Sequence, residues 1–84
     1  MFRLEPTKAF VKSLKKLSDS ERKAVTAKLN IMVKDPFYPS LRTKKIQRLK
    51  DVFECSVSMN IRILWQHKND GIILLIDIGH HDIL

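Results

Sequence analysis

The spacing of apolar residues changes once along this chain, and that change bounds what it can fold into. Up to Lys34 the spacing is helical. Phe10, Leu14 and Leu17 recur at i, i+4, i+7, with Val11 widening the stripe and Lys8, Lys12, Lys15 and Lys16 on the remaining positions. Such a stripe is the buried face of an amphipathic helix. Val25, Leu29, Met32 and Val33 repeat it at i, i+4, i+7, i+8. From Phe53 onward the period is two. Phe53, Cys55, Val57 and Met59 alternate with Glu54, Ser56 and Ser58, and Ile61, Ile63 and Trp65 alternate with Arg62, Leu64 and Gln66. A period of two marks strands with one dry and one polar face. Ile72 to Ile78 is apolar except for Asp77, as in a strand covered on most of both faces.

Local signals place the boundaries. Pro6 and Thr7 suit the start of the first helix, because proline loses nothing by lacking an N–H in a first turn. Ser18-Asp19-Ser20-Glu21 reads S-x-x-E, a capping box that separates two helices. The second helix stops before Pro36, since the residue preceding proline avoids helical dihedrals. Asp35 to Ser40 has loop chemistry, Asn60 suits a tight turn, and Asp70-Gly71 is a hairpin signal. Met1 to Leu4 reads as a short edge strand and Lys45 to Leu49 as one more strand of the sheet. The order predicts an α+β fold of two layers, an N-terminal helical hairpin packed on an antiparallel meander. With 84 residues and no repeats or linkers, residues 1–84 form one domain.

Charge narrows the partners. Sixteen Lys and Arg against nine Asp and Glu leave a net +7. Residues 1–34 hold nine of the basic groups and only Glu5, Asp19 and Glu21 against them, while Arg42, Lys44, Lys45, Arg48 and Lys50 form a second run with no acid inside it. One reading of this is a solvated surface with a solubility charge; the other is a polyanionic partner, nucleic acid above all. One cysteine excludes an internal disulfide, and no apolar run approaches membrane-spanning length. No signal peptide is evident at the N-terminus, so a cytoplasmic protein without membrane contact is expected.

Candidate chemistry lies in the second half. With Phe53, Cys55 and Val57 under the helices, the opposite sheet face presents Glu54, Ser56 and Ser58, with Arg62, Leu64 and Gln66 from the facing strand. Gly79-His80-His81-Asp82 follows a buried strand. Adjacent histidines of an extended chain point different ways, which argues against a shared metal; the segment reads either as a polar, glycine-turned tail or as one that sets an imidazole for proton transfer near Arg62. Such a pair suits RNA cleavage without a metal, in which the 2′-hydroxyl attacks its own phosphate. A histidine moves a proton, and arginine offers a planar fork to the phosphate.

The order of features resembles the RelE/ParE family of toxins from bacterial toxin–antitoxin pairs, over nearly the whole chain. The resemblance rests on Phe10 and Leu14 to Leu17, on Asp35-Pro36-Phe37-Tyr38-Pro39-Ser40-Leu41-Arg42-Thr43-Lys44-Lys45-Ile46, on Val52-Phe53-Glu54, and on Arg62-Ile63-Leu64-Trp65. The closing Ile78-Gly79-His80-His81-Asp82 is similar to the tail of the YafQ-like branch. The resemblance implies a RelE-like microbial ribonuclease fold, a helical hairpin on a curved antiparallel β-sheet. It implies a ribosome-dependent, metal-independent mRNA endonuclease that needs no cofactor. His81 corresponds to the catalytic tail histidine and Arg62 to the arginine at the scissile phosphate, with Glu54 and His67 as candidates for the base. Lys44, Lys45 and Arg48 lie where the family holds the RNA backbone, and Arg42 and His80 join them as RNA contacts. The implied partners are a cognate antitoxin, mRNA in the ribosomal A site, and ribosomal RNA. Ser56 stands where many relatives have arginine or histidine, Asn60 where YafQ-like enzymes can have aspartate, and Leu84 where a terminal aromatic is frequent. Two other readings accompany the ribonuclease: a ParE-like inhibitor of DNA gyrase, and a catalytically silent RNA-binding relative.

Overall fold

A computed structural model describes residues 1–80 of the chain. Strand β1 (Arg3–Pro6) leads into helix α1 (Lys8–Lys15) through Thr7. The Thr7 hydroxyl accepts the Phe10 N–H at 3.1 Å, capping the helix, and donates to the Ile76 carbonyl at 2.8 Å. One side chain thus starts the helix and ties it to a distant strand. Helix α2 (Asp19–Lys34) opens with the reciprocal capping box that the S-x-x-E pattern predicts. Glu21 N–H donates to Ser18 Oγ at 3.2 Å, and Ser18 N–H donates to Glu21 Oε1 at 2.8 Å. The helix ends at Lys34, ahead of Pro36.

Four strands follow: β2 (Lys44–Lys45), β3 (Val52–Ser56), β4 (Ile61–His67) and β5 (Ile72–His80). They form an antiparallel meander, and β1 joins in parallel beside β5, giving the order β1-β5-β4-β3-β2. The β4–β5 turn places Asp70 and Gly71 at φ 61° and 73°, the left-handed region an Asp-Gly pair accommodates. Strand β2 is shorter than the Lys45–Leu49 strand expected from sequence. Ile46 N–H donates to the Val52 carbonyl at 2.8 Å, Leu49 N–H donates to the Ile46 carbonyl, and Asp51 takes a φ of 55°, so the chain reverses at once.

The helices cover one sheet face. Phe10, Leu17, Val25 and Met32 pack against Cys55, Ile63, Trp65, Ile73 and Leu75, all nearly or fully buried. Phe53 stacks on Trp65 with centroids 4.7 Å apart, and Phe37 meets both rings edge-on at 5.3 and 5.8 Å. The Asp35–Ser40 connection is therefore anchored by an aromatic contact. Thr7 N–H donates to the Leu75 carbonyl and Ser13 Oγ to Asp77 Oδ1 at 2.7 Å, so α1 takes over the edge of β5 where β1 stops.

Two outcomes follow from the packing. Ser18→Ala removes half of the capping box and should cost about 1 kcal/mol in urea unfolding; an unchanged midpoint would mean the box contributes nothing. Burial, reinforced by the Glu54 carboxylate, pushes the Cys55 thiol from an ordinary 9.0 up to about 12. The unfolded chain therefore ionises first, and this contribution to stability is intact below about pH 9 and declines as pH rises toward 12. At pH 8 a thiol reagent should label Cys55 only as fast as the protein opens; immediate labelling of the native protein would contradict the burial.

Candidate active site

Pairing across β2, β3 and β4 sets which side chains share a face. Lys44 lies opposite Glu54, Glu54 opposite Leu64, and Ser56 opposite Arg62. Cys55 and Ile63 are paired and fill the core, so the pleat turns Lys44, Glu54, Ser56 and Arg62 to the other side. At the β3–β4 end of this face lies a cleft of about 370 Å³ lined by Lys28, Ser40, Arg42, Arg62 and the segment 56–59. Three cations from three separate elements converge there, and among the described residues no carboxylate lines it.

Each cation is placed by its own local device. Arg42 follows a single 3₁₀ turn (Pro39–Leu41) at φ 49°, with its N–H donating to the Pro39 carbonyl. Leu41, fully buried, pins that turn to the core. Lys28 projects from α2 and its Nζ donates to the Ser40 carbonyl at 3.4 Å. Arg62 straps the β3–β4 turn: Nη1 donates to the carbonyls of Ser58 at 2.7 Å, Met59 at 3.0 Å and Ile61 at 3.2 Å. All three bonds use one nitrogen, so the fork keeps further N–H donors for an anion. Like charges held together without a neutralising acid raise the local potential and favour a polyanion.

The other residues singled out from sequence fall in different places. Glu54 is only 6% exposed and its Oε1 lies 3.5 Å from Lys44 Nζ, so this carboxylate is buried with its counter-ion at the surface. Lys45 is paired with Phe53, on the opposite sheet face from Lys44. Arg48 is exposed in the β2–β3 turn. His67 is exposed at the end of β4, edge-on to Phe2 at 6.1 Å. His80 is paired with Ile61, and its Nε2 lies 3.7 Å from Glu21 Oε2 at the start of α2. The Ser18 N–H, seconded by the Ser18 hydroxyl and His80, holds the Glu21 carboxyl below its usual value. His81 and Asp82 lie outside the described residues. The structure thus brings Arg42 and Arg62 into one cleft, sets Lys44 and Glu54 beside each other on the same sheet face, and leaves Lys45, Arg48 and His80 elsewhere.

Lys28 is the member of the cleft that sequence reasoning misses. Its signal is present all the same: three residues after Val25 and four before Met32, it flanks the buried stripe of α2 and so lies close to the sheet. Among the described residues no group of three or more His, Cys, Asp or Glu could hold a metal ion. No helix among them is long and apolar enough to cross a membrane.

No protein-family profile matches the chain, and no curated protein matches it by sequence. Solved structures match closely in fold. The RelE–RelB complex from Pyrococcus horikoshii OT3 superposes with a TM-score of 0.83 at 15% identity, over 99% of this chain and 98% of the other. The YoeB/ParE toxin from Agrobacterium tumefaciens gives 0.79 at 9% identity, over 95% and 99%. The RelBE toxin–antitoxin complex of E. coli gives 0.76 at 18% identity, over 94% and 95%. The likeness covers essentially the whole of each chain, and the fold is the one these toxin structures share.

The Arg62 strap has a measurable structural part. Arg62→Ala deprives three turn carbonyls of a donor and should lower stability by about 1 kcal/mol. An unchanged urea midpoint would show that the strap carries no stability and that Arg62 is free for a ligand.

Proposed function

We propose that this chain, with its RelE fold, is the toxin of a type II toxin–antitoxin pair and cuts mRNA in the ribosomal A site without a metal. The observation that supports this most is the acid-free cleft in which Lys28, Arg42 and Arg62 converge. RNA cleavage by the 2′-hydroxyl breaks the P–O5′ bond as the new P–O2′ bond forms, leaving a 2′,3′-cyclic phosphate and a 5′-hydroxyl. One proton leaves the 2′-oxygen and another reaches the 5′-oxygen, while negative charge grows on the phosphorane. Arginine and lysine donors fixed before the reaction stabilise that charge at no cost in reorganisation. Arg62 takes the scissile phosphate, and Lys28 and Arg42 hold the strand beside it.

Proton transfer is assigned to His81 as acid, on its place in the Gly79-His80-His81-Asp82 sequence. Glu54 is a carboxylate on the Arg62 face and the candidate base, with Lys44 as its counter-ion. The exposed lysines of the helices, Lys8, Lys12, Lys15, Lys16 and Lys23, serve as contacts to ribosomal RNA. An antitoxin partner is supported by the RelBE toxin–antitoxin complex, whose RelE chain has the same fold.

Primer extension on cellular mRNA after induction tests the activity. Wild type should produce cuts within translated codons, and His81→Ala should abolish them at unchanged protein level. Intact mRNA with a DNA-damage response would establish gyrase inhibition instead. Cuts that persist in His81→Ala would remove that residue from the mechanism. Ribosome affinity should fall steeply with salt, and the Lys28→Ala/Arg42→Ala double variant should flatten the slope by roughly 0.7 for each phosphate it no longer neutralises. An unaltered slope would separate the cleft from phosphate binding.

A further inference from the structure

Met59 occupies an unusual place. It is 87% exposed at the tip of the β3–β4 turn, where Ser58 and Asn60 on either side are the ordinary polar turn residues. Burial in the core does not account for a side chain so open to solvent. Yet Met59 lines the same cleft as Lys28, Arg42 and Arg62. Its carbonyl accepts a bond of 3.0 Å from Arg62 Nη1, and the Ser58 carbonyl one of 2.7 Å from the same nitrogen. The turn that carries Met59 is therefore fixed by the residue assigned to the phosphate.

A nucleotide joins an anion to a flat, polarisable ring. A cleft that binds one by its phosphate alone needs cations only, and an apolar side chain at its lip is then superfluous. An unbranched thioether suits a ring face: it is polarisable, adapts its rotamers, and makes favourable contacts with π systems. The volume of about 370 Å³ is at the small end of ligand clefts and suits a single nucleotide. We infer that Met59 packs against the nucleobase of the nucleotide whose phosphate is held by Arg62, Arg42 and Lys28, so that the cleft reads a base as well as a backbone. This rests on the nucleic-acid reading of the cleft and adds to it a specificity-determining residue.

The test separates base from backbone. Fluorescence anisotropy is measured with a labelled, non-cleavable 2′-O-methyl RNA decamer and with an abasic decamer of the same length. Met59→Ser, at an exposed site, leaves the fold intact, which circular dichroism verifies. It should weaken binding of the base-bearing strand about three- to tenfold and leave the abasic strand unaffected. Met59→Leu, which keeps the apolar surface, should retain most of the affinity. Equal weakening of both strands, or no weakening of either, overturns the base contact. Wild type that binds both strands equally also overturns it while leaving the phosphate site standing. Wild type that binds neither strand overturns the phosphate site itself.

Discussion

Ile61, Ile63 and Trp65 enter the core from β4, the middle strand of the sheet, and every second residue between and beside them is turned to the opposite face. Core and cleft are thus coupled by the pleat. Arg62 can stand opposite Ser56 only because its two neighbours are buried against the helices. A slip of one residue would send the guanidinium into the apolar layer and expose the isoleucines, so the hydrophobic packing that stabilises the domain also fixes the site. The register shift between Leu64 and Trp65 in the β4–β5 pairing lies beyond Arg62, and the stretch that carries the cleft keeps its alternation.

Charge is distributed by the same logic. Glu54 is buried on the face that carries Arg62, and Lys44 opposite it supplies the compensating charge. Removing either partner leaves the other's environment wrong, which is more costly for the buried carboxylate than for the exposed ammonium. The other acids of the described chain that make ion pairs lie away from the cleft: Glu5 with Arg3, Asp19 with Arg22, and Glu21 with His80. The cations of the cleft have no such partner in its lining, so part of the net charge of +7 is concentrated there while the rest lies over the helices.

Much of this architecture is legible in the sequence. The capping box, the stop before Pro36, the alternation in β3 and β4 and the Asp-Gly turn are local rules, and local rules read directly from residue order. The Arg62 face follows from the same alternation. What cannot be read is non-local. The parallel seat of β1 beside β5 depends on which edge is vacant, not on the residues of β1. The early end of β2 depends on the reversal at Asp51. Lys28 is hidden because a helix pattern says which side is buried but not what stands across from its flank. His80 is counted among the RNA contacts through the tail it belongs to, and its side is set by pairing with Ile61, which puts it on the helix side.

Arg3 to Pro6 pair with Ile72 to Leu75, so the first strand waits for a partner made some seventy residues later. Every residue that lines the cleft, up to Arg62, is synthesised before that partner exists. Ile73, Leu75 and Ile78 complete the core only when β5 arrives, and with it comes the strand to which Thr7 ties the start of α1. Contacts this distant close late in folding, because the intervening chain must first be ordered. The walls of the cleft are therefore made before the sheet that supports them is closed, which happens only as β5 enters between β1 and β4.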